Sequence, residues 1–302
     1  MNRHVFYGRM CEPRTRTPEP GPCRRSPQYY PRMTEMLSRP TIGELQERAH
    51  GVGHDYAKGS PHIRHHSVRE RVISAVHTLV GEIVERNGQC RVLEIGAGHG
   101  TFTDHLVAAG ARVEVTEMSA PSVAVLRRRF RGSRHVTVTH DPEGKEIFRS
   151  EPVDAVVCVS VLHHIPDYLA AVEHLIGRTA HGGAFLSMQD PLWYPRRSHL
   201  SMSVDRGAYL LWRLGQGQLR RGLATRVRRL RGHYDESNEA DMSEYHVVRQ
   251  GVDEVALQKI LAPAFQEVRL QRYWSTQSGV LQAWGERFAP PTTFGVLARK
   301  RR

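Results

Sequence analysis

Apolar positions along this chain change period several times, and the changes mark out its elements. Ser67 and Glu70 have capping-box spacing, and Val68, Val72, Val76, Leu79 and Ile83 then recur on one helical face, which predicts a helix. Val92-Leu93-Glu94-Ile95 follows as a short strand. Gly96, Gly98 and Gly100 then come at every second position, before an amphipathic run that ends at Gly110. Strands are predicted at Ala111–Glu117, His135–Thr139, Val153–Val159 and Gly183–Gln189, with helices over Ser119–Phe130 and Asp167–Ile176. This alternation predicts a parallel sheet with helices on both faces. A last helix, Asp253–Ala262, precedes strands Phe265–Arg272 and Thr293–Arg299, joined by a loop carrying Trp274 and Trp284.

Three segments depart from the alternation. Residues 1–40 hold seven prolines and no period, and read as a disordered extension that need not be native, since Met33 or Met36 would also serve as a start. Residues 41–66 carry a helical pattern from Thr41 and a polar loop, Tyr56 to His62, and read as an amino-terminal lid ahead of a main domain over 67–302. Residues 190–251 form an arginine-rich, mostly helical insertion after the fifth strand.

Charge changes this picture little. The net charge is +12, but residues 1–40 account for +5 and residues 196–231 for +9, which leaves the rest at about −2. The basic character belongs to a tail and an insertion, and the arginine bias also fits a GC-rich coding sequence. Leucines and Val227 share the insertion at near-helical spacing, and residues 213–231 carry no stacking platform for bases, so nucleic acid ranks second as a partner. No apolar run approaches the ~18 residues that span a bilayer, and the first thirty residues lack the apolar segment of a signal peptide. A cytoplasmic protein is expected, with the four cysteines free and Cys158 a small core residue.

The chemistry concentrates at the glycine turn. Alternate glycines let a ligand lie on the backbone, and the following helix points its free N–H groups there. Glu117 ends the second strand 21 residues after Gly96, where a carboxylate accepts from both hydroxyls of a ribose. Glu94, two residues before Gly96, would repel a pyrophosphate but suits an ammonium. Adenosine, ammonium and no phosphate describe S-adenosylmethionine. At the exit of the fourth strand His163 is the first candidate base, with His246, in the cluster Glu244 to Arg249, the second. Asp190, Trp193 and Tyr194 are expected at the mouth of a substrate pocket, joined by Tyr245 and by His62 from the lid.

These motifs, in this order from Ser67 to Arg299, resemble the class I S-adenosylmethionine-dependent methyltransferases: Val92 to Gly100, Glu117, Asp141, and Asp154 to Asp167 with its Leu162-His163-His164-Ile165-Pro166-Asp167 ending. The last looks like the small-molecule branch. The resemblance implies a Rossmann-like, doubly wound sheet of seven strands with the final one antiparallel. It also implies roles in holding S-adenosylmethionine: Gly96 and Gly98 beside its methionine part, Glu117 on the ribose, Met118 on the adenine face, and Asp141 on the adenine amino group. Ser160 would border the methionine part, and Tyr56 would reach the cofactor from the lid. The activity expected is methyl transfer to an O, N or C atom of a small molecule, with specialised metabolism as its setting. Two rivals stand beside it: an RNA or protein methyltransferase working through the insertion, and a non-catalytic cofactor-binding regulator.

Overall fold

The structure, a computed structural model, describes residues 60–149, 151–215 and 251–302. Tyr56, Tyr245 and His246, the pattern from Thr41 and most of the insertion lie outside the described residues. Two amino-terminal helices, α1 (Pro61–Arg64) and α2 (His66–Asn87), lead into β1 (Cys90–Ile95). There follow α3 (Thr101–Ala108), β2 (Ala111–Glu117), α4 (Ala120–Arg129), β3 (Val136–His140), β4 (Val153–Val159), α5 (Tyr168–Arg178) and β5 (Thr179–Pro191). After these come α6 (His199–Gly215), α7 (Glu254–Leu261), β6 (Phe265–Tyr273), α8 (Gly279–Phe288) and β7 (Thr293–Arg301).

The strands form one seven-stranded sheet in the order β3-β2-β1-β4-β5-β7-β6. Strands β1 to β5 run parallel, and β7 runs antiparallel to both of its neighbours, as anticipated. The order reverses between β1 and β4, so their carboxyl ends flank the crevice in which a doubly wound sheet takes its ligand. Both faces are covered. On one, Val68, Val72, Val76 and Leu79 of α2 share a core with Val92, Val113, Val157 and Leu186. On the other, Val172 and Leu175 of α5 and Leu257 and Leu261 of α7 meet Leu93, Val156, Phe185 and Val296. Each such side chain contributes about 1.5–3 kcal/mol through burial. Burial from both sides explains why β4 is apolar from Ala155 to Val159 instead of alternating, with Asp154 near its start half-buried and accepting the Arg91 N–H. Cys90 and Cys158 are free and buried in the two cores.

Helix starts are set by local chemistry. Asp167 accepts from the Ala170 N–H and Asp253 from those of Val255 and Ala256, occupying amides that no helical carbonyl reaches. The Ser67/Glu70 capping box does not form. Helix α2 already begins at His66, and Ser67 Oγ instead donates to Glu286 of α8. The predicted loop between β6 and β7 is in part a helix, α8, with Trp284 on its exposed side, while Trp274 is buried and donates to the Leu281 carbonyl. Strand β5 is also longer than predicted, because the hydrophilic Thr179–Gly182 stretch and Asp190-Pro191 remain in the sheet.

Candidate active site

Strand β1 enters the glycine turn with Gly96, Gly98 and Gly100 all in the left-handed region, which L-residues with a side chain occupy only at a cost. Two of these glycines serve different ends. A Cβ on Gly96 would stand 2.9 Å from Val161 Cγ2, beneath the crevice; on Gly100 it would stand 2.7 Å from the Phe130 ring, so Gly100 serves the packing of the turn against α4. Glu117, at the end of β2, aims back at this turn. Its Oε2 accepts from the Gly98 N–H at 2.9 Å and its Oε1 from the Ser119 N–H at 3.0 Å. Burial raises the Glu117 carboxyl above the usual range, and these two N–H groups oppose that. Glu94 lies in β1 at 2% exposure and accepts from Thr103 Oγ1 of α3 at 2.6 Å. Burial pushes its carboxyl up to about 7, with the Thr103 bond opposing and Glu117 adding to the rise.

A left-handed backbone cradle flanked by two buried carboxyls fits a ligand with hydroxyls and an ammonium and repels one with phosphates, the group anticipated from the sequence. Each carboxyl keeps acceptor capacity beyond its present bonds. Met118 is half-buried beside Glu117, and its carbonyl meets His140 Nε2 at 3.0 Å. Asp141, expected on the adenine amino group, uses Oδ1 and Oδ2 to accept from the N–H groups of Lys145 and Glu146 at 2.7 and 2.9 Å. It shapes the loop after β3, with each oxygen retaining a second acceptor position.

The neighbouring edge, where β4 and β5 end, holds two residues other than glycine with positive φ, Ser160 at 61° and Gln189 at 68°. Such outliers concentrate at functional sites. Ser160 N–H donates to the Met188 carbonyl at 2.8 Å, tying the two strand ends together. Asp190 follows Gln189 and is fully buried. Its Oδ1 lies 2.8 Å from His163 Nδ1, and Ser187 Oγ donates to its Oδ2 at 2.7 Å. Burial pushes the Asp190 carboxyl up to about 7, with the Ser187 bond opposing. His163 packs its ring 4.0 Å from that of His164. When Asp190 is ionised it accepts from Nδ1–H, which fixes the tautomer in which Nε2 is the basic nitrogen.

His62 of α1 lies near enough to Asp190 to feel its charge. It is 8% exposed, its ring centroid lies 5.9 Å from that of Phe102 in α3, and its Nδ1 has no hydrogen-bond partner among the described residues. Burial pulls its imidazole down to about 4, with Asp190 opposing, so at neutral pH His62 is an uncharged donor and acceptor.

Several predicted residues thus stand together: Glu94, Gly96, Gly98, Glu117 and Met118 around the turn, and Ser160, His163 and Asp190 at the adjacent edge. Asp190 departs from expectation, because it is directed at His163 and has no exposed surface for a substrate. Trp193 and Tyr194 are half-buried, with Arg196 stacked 4.6 Å over the Trp193 ring and Arg197 5.3 Å over that of Tyr194. These arginines are also paired, Arg196 with Asp253 and Glu254 and Arg197 with Asp205. Thr103, Ser187, Gln189 and Tyr273 were not foreseen. A polar residue inside a buried strand, as Ser187 is, was the one available signal.

Comparison with known proteins identifies the family. The family described as "Methyltransferase domain" matches residues 64–236. A ubiquinone biosynthesis O-methyltransferase of Sodalis glossinidius is 31% identical over 90 residues, 28% of this chain and 36% of that protein. An uncharacterized methyltransferase of Anoxybacillus flavithermus is 30% identical over 96 residues, 32% of this chain and 43% of that protein. The chain therefore spans less than half the length of the curated relatives it matches. Among solved structures, the N-methyltransferase NodS from Bradyrhizobium japonicum WM9, in complex with S-adenosyl-L-homocysteine, is similar at 16% identity and a TM-score of 0.49, over 86% of this chain and 98% of that one. The family match extends over more than half of the 302 residues, and the chain belongs to the methyltransferase-domain family of S-adenosylmethionine-dependent, class I methyltransferases.

Proposed function

We propose that this protein transfers a methyl group from S-adenosylmethionine to an oxygen or nitrogen of a small molecule, at an acceptor that loses its proton as it is methylated. The observation that carries this reading is the His163–Asp190 pair at the carboxyl edge of β4 and β5. Glu94 would take the ammonium, Gly96 and Gly98 of the turn would hold the methionine arm and Glu117 would take the ribose. The cofactor, when bound, supplies a methyl group on a sulfonium that is already a good leaving group. Holding the acceptor in line with it is the main task of the protein, one that can contribute ~7–11 kcal/mol. A neutral hydroxyl or a charged amine must still lose a proton. His163 Nε2 would take that proton, while S-adenosylmethionine, when bound, would give the methyl to the acceptor atom and keep the electron pair of the S–C bond on its sulfur. Asp190 stabilises the imidazolium so formed.

An oxygen acceptor is favoured by the names of curated relatives, which include O-methyltransferases. A place in specialised metabolism belongs to the same proposal and rests on the arginine bias and the resemblance. The RNA and protein rival is weakened at Arg196 and Arg197, which form internal pairs among the described residues. The test is turnover against a panel of phenols, alcohols and amines. His163→Ala should lower kcat by about 10²–10⁴-fold, the usual worth of a general base, and leave affinity for S-adenosylhomocysteine within about twofold. Wild-type kcat in that variant would remove His163 as the base.

A further inference from the structure

Ser187 and Asp190 are three residues apart in β5 yet hydrogen-bond to each other in the interior. In a regular strand residues i and i+3 point to opposite faces, so something must reverse the alternation between them. The register against β7 shows what does. Met188 pairs with Gly295 and Asp190 with Phe294, which leaves Gln189 as an extra residue, a bulge with left-handed backbone. A left-handed glutamine is disfavoured and persists only where its surroundings hold it.

Tyr273 holds it from the end of β6. Its hydroxyl accepts the Gln189 backbone N–H at 3.0 Å and donates to Gln189 Oε1 at 3.3 Å, while Gln189 Nε2 donates to Ser275 Oγ at 2.6 Å. Strand β7 lies between β5 and β6, so the Tyr273 ring spans it to reach the bulge. The ring is buried, with the Arg71 guanidinium of α2 4.9 Å from its centroid. Its hydroxyl thus satisfies both the amide that a bulge takes out of the strand ladder and the side chain beside it.

We propose that Tyr273 is a positioning residue: by clamping Gln189 in the left-handed bulge it turns Asp190 toward His163 and fixes which imidazole nitrogen takes the proton. This rests on the reading of His163 and Asp190 as the proton-accepting pair. The test uses the full chain saturated with S-adenosylhomocysteine and ¹⁵N-labelled at histidine. In the wild type at pH 8.5, where Asp190 is ionised, His163 should show one tautomer with Nδ1–H in a strong hydrogen bond. Tyr273→Phe should lose that single signature and give a mixture of tautomers. Adding Gln189→Gly, which adopts the left-handed region without a clamp, should restore it. If Tyr273→Phe fails to fold, Gln189→Ala removes the Oε1 and Nε2 bonds but keeps the backbone N–H on the Tyr273 hydroxyl, and should show a partial loss, with a second tautomer appearing beside the first. An unchanged His163 signature in the folded Tyr273→Phe protein, or in Gln189→Ala should that variant be the one available, overturns the inference. The measurement needs no turnover, so its failure is separate from that of the base reading: full activity in Asp190→Asn would end the base reading, whereas the histidine spectrum alone decides whether Tyr273 sets the His163 tautomer.

Discussion

Glu94 offers a quantitative test of the cofactor cradle. Its carboxyl is buried and raised to about 7, so in the free protein it is mostly protonated at pH 6 and mostly ionised at pH 8. A ligand whose ammonium pairs with the ionised form must remove the proton first. Its affinity then follows the ionised fraction, which for such a group is about one in eleven at pH 6 and about ten in eleven at pH 8. S-adenosylhomocysteine should therefore bind about tenfold more tightly at pH 8 than at pH 6, a difference of about 1.4 kcal/mol. Calorimetry at pH 6 in buffers of different ionisation enthalpy should register the release of nearly one proton per site. Glu94→Gln should bind more weakly at pH 8 and lose that part of the pH dependence. Stability should move the other way. A carboxyl with a raised folded pKa contributes stability at low pH that is lost as pH rises from the unfolded value toward 7, so Glu94→Gln should gain thermal stability over the wild type at pH 8 but not at pH 4.5. Affinity unchanged between pH 6 and 8, with no proton released, would refute the assignment of Glu94 to the ammonium.

Gly98→Val places a β-branched residue at φ 57° inside the turn and should abolish S-adenosylhomocysteine binding; wild-type affinity by calorimetry would remove the turn from the site. Glu117→Ala leaves the Gly98 and Ser119 N–H groups without their acceptor, at about 1–3 kcal/mol each, so it should lose both affinity and melting temperature. Glu117→Gln retains an acceptor oxygen and should keep more of the stability; equal melting losses in the two would contradict this. Gly285→Ala would drive a methyl into the Trp274 indole and should destabilise by about 1–3 kcal/mol in denaturant unfolding, whereas a neutral result would mean that α8 is free to move away.

The sheet was legible because its signals are local and repeated. Buried parallel strands favour apolar runs such as Ala155–Val159, and the spacing of Glu94, the glycines and Glu117 is fixed by the strand and turn geometry that brings them together. What escaped reading depends on contacts distant in sequence. Nothing near Gln189 announces a bulge, because the hydroxyl that holds it belongs to Tyr273, 84 residues later. Asp190 reads as an open acid beside two aromatics until the bulge turns it inward to His163. The capping pattern at Ser67 failed for a similar reason, since its hydroxyl is taken by Glu286 across the fold. His163 was recognisable by its place at a strand exit, but its orientation by Asp190 was not.

Methylation of a small molecule by the cradle and the His163–Asp190 pair can be followed in one experiment. It is tested most directly by incubating the protein with methyl-labelled S-adenosylmethionine and a metabolite extract from cells lacking it, and following the label by mass spectrometry. Label should appear in a small molecule that becomes heavier by one methyl in place of a hydrogen, and much less of it with His163→Ala. Label found only in RNA or protein, or tight cofactor binding with no label transferred to any fraction, would contradict it.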